Sequence, residues 1–428
     1  MKNKIHFLVV LAIALTACST RSYRIGKVKP SHEKTLEGPP GMVYVSSGSV
    51  LIGQPELDSS YTDSSTFKKV SLSAFFMDKT EVSNKQYRQF VNWVRDSIAV
   101  TDYIKEKSFF LPNRSVDSTA NINWQKTIDG RAIWKANNKR IREKLRGMYY
   151  TGKDKLTGAN EINVALLNYN YEYLNPEYKG KNTNVERVTR ESINVYPDTT
   201  VWEKDFPNSQ NYQMTKSYFS NPVYDNYPVV GVTWKQARAF AAWRTKIWTK
   251  YVHTMLSPKL IQFQIDLPTE AQWAYAAAEE KVNIDSLSRG KKKSKKPVAI
   301  VNYKQDEGDY TEDGAVYTAP VTSYSPNKFG LYNMAGNVAE WTLNYYTESA
   351  TAFISDLNPV LTYDAKDGDS PVMKKKVVMG GSWKDIGYFV KSSTRTYEFQ
   401  DTPKSFIGFR CVMPAPDILM SEKTRTRN

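Results

Sequence analysis

The chain runs to 428 residues, with 59 Lys and Arg against 44 Asp and Glu, a formal charge of +15, two cysteines and three histidines. So few sulfur and imidazole groups exclude a histidine-rich zinc or iron site and a disulfide-stapled scaffold. The basic excess would point to nucleic acid in a cytosolic protein. Behind a membrane anchor it points to anionic head groups or an acidic protein partner.

Residues 1–17 read as a removable signal: Lys2 and Lys4 are followed by an apolar run from residue 5 to residue 15, broken only by His6, and then by small residues. The run is shorter than the about 20 residues that a spanning helix needs. The order Leu15-Thr16-Ala17-Cys18 resembles the bacterial lipobox, which implies cleavage before Cys18, acylation of that cysteine and a stable lipid anchor. By resemblance to other Gram-negative lipoproteins, Ser19 next to it implies the outer membrane. The plainer alternatives are a soluble secreted protein cut after Ala17, or a chance apolar N-terminus. With Cys18 lipidated, Cys411 is the remaining thiol of the mature chain.

Residues 18–40 carry Pro30, Pro39 and Pro40 with no apolar period and read as a flexible tether. A domain over 41–413 begins with Met42-Val43-Tyr44-Val45, a Ser46-Ser47-Gly48-Ser49 turn and Val50-Leu51-Ile52-Gly53, which predict a hairpin. A further strand is expected from Ser71 to Asp78. One helix starts near Ser83-Asn84, with Tyr87, Phe90, Val91, Val94 and Ile98 on its apolar face. A second starts at Thr233 with a Gln236 capping box and buries Ala237, Phe240, Ala241 and Ile247. A third starts at Thr269 with Gln272 and buries Trp273, Ala276 and Ala277. Residues 100–220 differ in texture and read as an insertion with its own structure. Most of its aromatics (Tyr149, Tyr150, Tyr169, Tyr171, Tyr173, Trp202) are expected in the core, a few as interface anchors. The run Lys291-Lys292-Lys293-Ser294-Lys295-Lys296 and the basic tail 414–428 read as solvated charge. The whole is an irregular α+β fold.

The strongest motifs come in a fixed order. Glu81-Val82-Ser83-Asn84 is followed by Tyr227-Pro228-Val229-Val230-Gly231-Val232-Thr233-Trp234 and Leu267-Pro268-Thr269-Glu270-Ala271-Gln272-Trp273. The segment Asn333-Met334-Ala335-Gly336-Asn337-Val338-Ala339-Glu340-Trp341 comes next, then Gly380-Gly381-Ser382-Trp383 and Gly408-Phe409-Arg410-Cys411. This series resembles the formylglycine-generating enzyme (sulfatase-modifying factor) family, whose fold resembles C-type lectins. The resemblance covers about 41–95 and 221–413. A narrower likeness, carried by the residues from Tyr87 to Ala99, by Val195-Tyr196-Pro197-Asp198-Thr199 and by Val230 to Phe240, is to the GldK/PorK group of lipoproteins of the type IX secretion and gliding-motility machinery.

Formylglycine chemistry needs two thiolates on a soft copper ion. The resemblance puts those positions at Asp385 and Val390, so neither copper nor catalysis is expected, and the histidine triad of the related sulfoxide synthases is missing too. It also implies two structural calcium sites built from hard oxygen ligands. One uses Asn333, the carbonyls of Gly336 and Val338, and Glu340; the other uses Asn302, Asp313 and the carbonyls of Tyr303 and Ala315. The alternative is that Asn333 and Glu340 satisfy a buried loop without metal. The expected function is a structural outer-membrane lipoprotein forming a periplasmic ring with itself and a GldN/PorN-type partner. The alternative function is a calcium-dependent glycan- or peptidoglycan-binding lipoprotein.

Overall fold

Three helices carry reciprocal caps at the residues where the sequence predicts them. In the computed structural model the described residues are 38–53, 67–112, 114, 119–124, 133–134, 138–155, 160–174, 186–255, 264–278, 301–305, 310–311 and 313–415. Cys18, the signal, the tether up to residue 37, the 291–296 lysine run and the tail from residue 416 lie outside them. Helix α1 (Asn84–Ile98) opens on a Ser83–Gln86 capping box, which satisfies two backbone donors at the helix start. Helix α2 (Trp234–Met255) opens with Gln236 N–H donating to Thr233 Oγ1 (3.1 Å) and Thr233 N–H donating to Gln236 Oε1 (2.8 Å). Helix α3 (Glu270–Ala277) repeats the device with Thr269 and Gln272. Tyr87 and Phe90 of α1 pack with Phe240 and Trp243 of α2 and with Phe409, at centroid distances of 5.4–6.2 Å. Ile247 departs from expectation: it is 43% exposed, on the stretch of α2 beyond this aromatic contact.

The expected opening hairpin does not form. β1 (Met42–Val45) pairs antiparallel with β4 (Phe75–Asp78), whose other edge takes β11 (Val412–Pro414); β2 (Gly48–Ile52) pairs instead with β3 (Lys68–Leu72). The expected strand from Ser71 to Asp78 is thus two strands, split at Ser73-Ala74. Every residue of β4 is buried, and a buried backbone must find hydrogen-bond partners on both edges, which a single hairpin neighbour could not supply. Residues 168–174 and 188–194 form the ribbon β5–β6 (Asn168–Leu174 and Val188–Asn194). A second sheet has the order β10-β7-β8-β9. β7 (Ala339–Tyr345) is antiparallel to β8 (Lys375–Met379), which is antiparallel to β9 (Arg395–Phe399), while β10 (Ile407–Gly408) lies parallel to β7. Mostly antiparallel sheets flanked by separate helices, without a repeating βαβ order, give an α+β fold. The main core joins Val45, Phe75, Met77, Val377 and Met379 to Trp273 and Ala276 of α3.

Within 100–220, Val100, Ile104, Phe110, Ile122, Leu145 and Met148 make a separate apolar cluster. The β5–β6 ribbon turns Tyr169, Tyr171 and Tyr173 inward as a stack with 5.9 and 5.8 Å spacings. The Arg238 guanidinium of α2 lies 3.8 Å from the Tyr173 ring centre and 4.9 Å from that of Trp234, with Lys376 Nζ 4.1 Å from Trp234. Asp266 accepts two hydrogen bonds from that Arg238 (3.2 and 3.0 Å). Trp202 is buried as well, so of the aromatics considered as interface anchors only Tyr149 and Tyr150 remain half-buried.

Candidate functional site

The Gly380-Gly381-Ser382-Trp383 turn leaves the end of β8, and the two positions expected of catalytic thiols follow it. Asp385 closes a local turn: its Oδ2 accepts from Ser382 N–H (3.0 Å) and Ser382 Oγ–H (2.7 Å), and its Oδ1 accepts from Lys384 Nζ (2.6 Å). Val390 is fully buried against Val301, Tyr303 and Ala335. A carboxylate committed to its own turn and an isopropyl group in a packed cluster offer neither nucleophile nor soft-metal ligand. Beside them Trp202, from the 100–220 segment, stacks on Trp383 at 6.1 Å, and Phe206 and Tyr317 close on the same indole. Cys411 is fully buried; burial, and then the nearby Asp78 charge, pushes its thiol pKa well up, with Arg244 opposing. Such a thiol is inert.

The Asn333–Trp341 loop sits over a buried polar network that the motifs alone did not reveal. Glu340 accepts from Arg410 Nε on both oxygens (2.9 and 2.7 Å), from Arg410 Nη2 on Oε1 (2.7 Å) and from Trp273 Nε1 on Oε2 (2.8 Å). Arg410 also donates to the carbonyls of Asp78 (3.2 Å) and Tyr332 (2.8 Å). Glu81 receives Asn333 Nδ2 on both oxygens (3.2 and 3.1 Å) and Asn337 Nδ2 on Oε1 (2.8 Å). Burial pushes the Glu81 carboxyl up to about 8 against the pull of Arg410, with the Glu340 charge adding to the rise. The loop needs left-handed backbone at Gly336 (φ 71°), where a Cβ would stand 2.2 Å from the Asn302 carbonyl oxygen. Glu81, Asn337 and Arg410 were missed as a unit because their contacts join residues far apart in sequence.

The first implied calcium set is brought together around this loop but does not fit the ion. A carboxylate has about four lone-pair positions, and those of Glu340, its one charged member, are taken by Arg410 and Trp273. Asn333 Oδ1, though buried without a protein partner, leaves the set with neutral oxygens only. The second set fits better. Asp313 accepts the N–H groups of Tyr303 (2.9 Å) and Ala315 (3.0 Å), drawing both ligand loops to its carboxylate, and Asn302 Oδ1 is buried with no protein partner. Calcium held by Asn302, Asp313 and the carbonyls of Tyr303 and Ala315 would supply a brace between two loops. Among the described residues no group of three or more His, Cys, Asp or Glu is arranged to hold a metal.

An irregular α+β frame with a buried Arg–Glu clasp and, among the described residues, no available thiol is the class of protein these features define. The chain belongs to the sulfatase-modifying factor enzyme 1-like domain family, whose model matches residues 27–415. It is similar to a formylglycine-generating enzyme of Bos taurus (31% identity over 194 residues, 44% of this chain and 44% of that protein). It is also similar to the inactive C-alpha-formylglycine-generating enzyme 2 of Bos taurus (29% over 195 residues, 44% of this chain and 51% of that protein). The chain thus spans about half the length of these curated relatives or less. The solved structure of PvdO from Pseudomonas aeruginosa overlays with a TM-score of 0.44 at 15% identity, covering 87% of this chain and 94% of that one.

Proposed function

We propose that the chain is a catalytically inert member of its family, working as a structural lipoprotein of the type IX secretion and gliding-motility machinery. In this reading it is a GldK/PorK-type subunit, anchored through Cys18 to the periplasmic face of the outer membrane. It assembles with itself and a GldN/PorN-type partner into a ring. The observation that carries the loss of catalysis is the pair Asp385 and Val390, one tied to Ser382 and Lys384 and the other sealed in an apolar cluster. The lipobox and the 100–220 segment supply the rest of the reading. Electron microscopy of native membrane extracts tests it: large symmetric particles are expected, lost on Cys18→Ala or on removal of the segment. A strictly monomeric protein with no co-purifying partner would sink the assembly, and copper-dependent oxidation of a cysteine-containing sulfatase peptide would sink the inertness.

A second reading, a calcium-dependent glycan- or peptidoglycan-binding lipoprotein with a lectin-like face, draws support from the unpartnered Asn302 Oδ1 beside Asp313. Retention on purified sacculi that disappears with chelator is its expected outcome. Equal retention with and without chelator, or none, removes it.

A further inference from the structure

The positive charge of the chain is concentrated in one stretch. Residues 105–155 hold 13 Lys and Arg against 5 Asp and Glu, an excess of 8 out of the chain's 15. The same stretch has its own apolar cluster, into which Ile141, Leu145 and Met148 turn. On the short helix Lys139–Lys144 and the turn that continues it, Lys139, Arg142 and Arg146 recur at three- and four-residue spacing, opposite those apolar residues. All three are exposed.

Glu106 joins a second basic segment to this helix. Its Oε1 accepts from Lys144 Nζ (3.1 Å) and lies 3.5 Å from Arg140 Nε, while Lys144 also donates to the Ile104 carbonyl. The acid is thereby taken up between two bases, and it holds the exposed Lys105 and Lys107 beside the helix. Residues 113, 115–118, 125–132 and 135–137 lie outside the described ones; they bring Lys126, Arg131 and Lys135 against Asp117 and Asp129, so they do not reverse the sign.

The make-up of the face favours one kind of partner. A protein interface of ordinary size has a centre depleted of charge and rich in apolar and aromatic groups. Here charge occupies the middle, and the apolar side chains of the helix point into their own cluster. Among the described residues of 105–155, Leu111 is the one large apolar group left exposed, at 40%. A plane of anionic head groups needs charge density rather than a matching shape, and each base close to such a plane changes binding about fivefold.

We propose that residues 105–107 and 139–146 form a docking face for an anionic lipid leaflet and lay the domain against the membrane. The proposal rests on anchoring through Cys18, which holds the face within reach of that leaflet. Acylation of Cys18 is read from the mass of the mature chain, so failure of the anchor and failure of the face are distinguishable.

The test is energy transfer from the face to the bilayer. With Cys18 acylated and Cys411 buried, Glu143→Cys supplies one reactive thiol for a fluorophore at an exposed position of the face. The labelled, natively processed chain is reconstituted in phosphatidylcholine vesicles with or without phosphatidylglycerol, with an acceptor dye on the head groups. Transfer is expected to rise with phosphatidylglycerol and to fall back in about 1 M salt, where screening extends only about 3 Å. Arg142→Gln together with Arg146→Gln should lower the docking equilibrium about twentyfold, while glutamines in place of the lysines of the 291–296 run should change it less than about twofold. Equal transfer with and without phosphatidylglycerol would overturn the face. So would a rise that survives the double substitution in a folded variant, or one that vanishes with the 291–296 change instead. Saturable binding of a polyglutamate peptide with no response to phosphatidylglycerol would overturn the assignment to lipid.

Discussion

Replacing Arg410 by methionine isolates the clasp at the centre of the fold. Met has similar length and fills much of the stem's volume, so the change removes chiefly the guanidinium. That group makes three contacts to Glu340 at 2.7–2.9 Å and holds the carbonyls of Asp78 and Tyr332. Both partners of the pair are almost wholly buried, with side-chain exposures of 0% and 1%. Glu340 would then keep only the Trp273 indole N–H, and breaking such a pair costs about 3–5 kcal/mol. Against a domain stability of about 5–15 kcal/mol this is a fifth or more, enough to lower the urea midpoint markedly. The cost lies in stranding a charge rather than in losing a strong bond, so Arg410→Met with Glu340→Leu should recover most of it. Urea unfolding of both single variants and the double variant measures the coupling. A loss below about 1 kcal/mol for Arg410→Met, or a double variant no better than the worse single, would refute the account of the clasp.

Other perturbations read out separate parts of the molecule. Glu81 has its carboxyl raised from an ordinary 4.5 to about 8, so the folded state holds a proton that the unfolded chain releases between those values. Its contribution is full below about 4.5, declines as pH rises and is gone above about 8, and Glu81→Gln should flatten the fall in melting temperature from pH 5 to 9; parallel curves would contradict it. Arg238→Lys loses the planar stack between Tyr173 and Trp234 and the paired bonds to Asp266, and should cost about 1–2 kcal/mol, with faster proteolysis of the β5–β6 ribbon. A cysteine placed at 385 should react with maleimide in the native protein, whereas one at the fully buried position 390 should react only after unfolding. Asp313→Asn should abolish any rise in melting temperature given by millimolar calcium, while Glu340→Gln should leave the size of that rise intact.

Helix starts were legible because each is written within four residues: Ser83 with Gln86, Thr233 with Gln236, Thr269 with Gln272. Strand partners were not. Alternation marks β1 as a strand without saying that its neighbour is β4, or that β4's other edge waits for residues near the far end of the chain. Ile247 follows the apolar period of α2, but period cannot say where the packing partner stops. The places of Asp385 and Val390, where the resemblance puts thiols, were readable by counting from Gly380-Gly381-Ser382. The Glu340–Arg410 clasp was not, since both residues sat in motifs whose contacts are set only by closing the sheet, and the same clasp turned an expected metal ligand into a filled acceptor.

The surroundings of Val390 bear on what a side chain at that position could do. Gly381 sits at φ 61°, and a Cβ there would meet the Phe389 carbonyl oxygen at 2.7 Å and Val390 Cγ1 at 3.0 Å. The turn at Gly381 thus packs directly against the valine, and Trp202 stacks on the Trp383 indole. A cysteine at position 390 would therefore stand sealed between the Gly381 turn and the Val301–Tyr303–Ala335 cluster, out of reach of solvent.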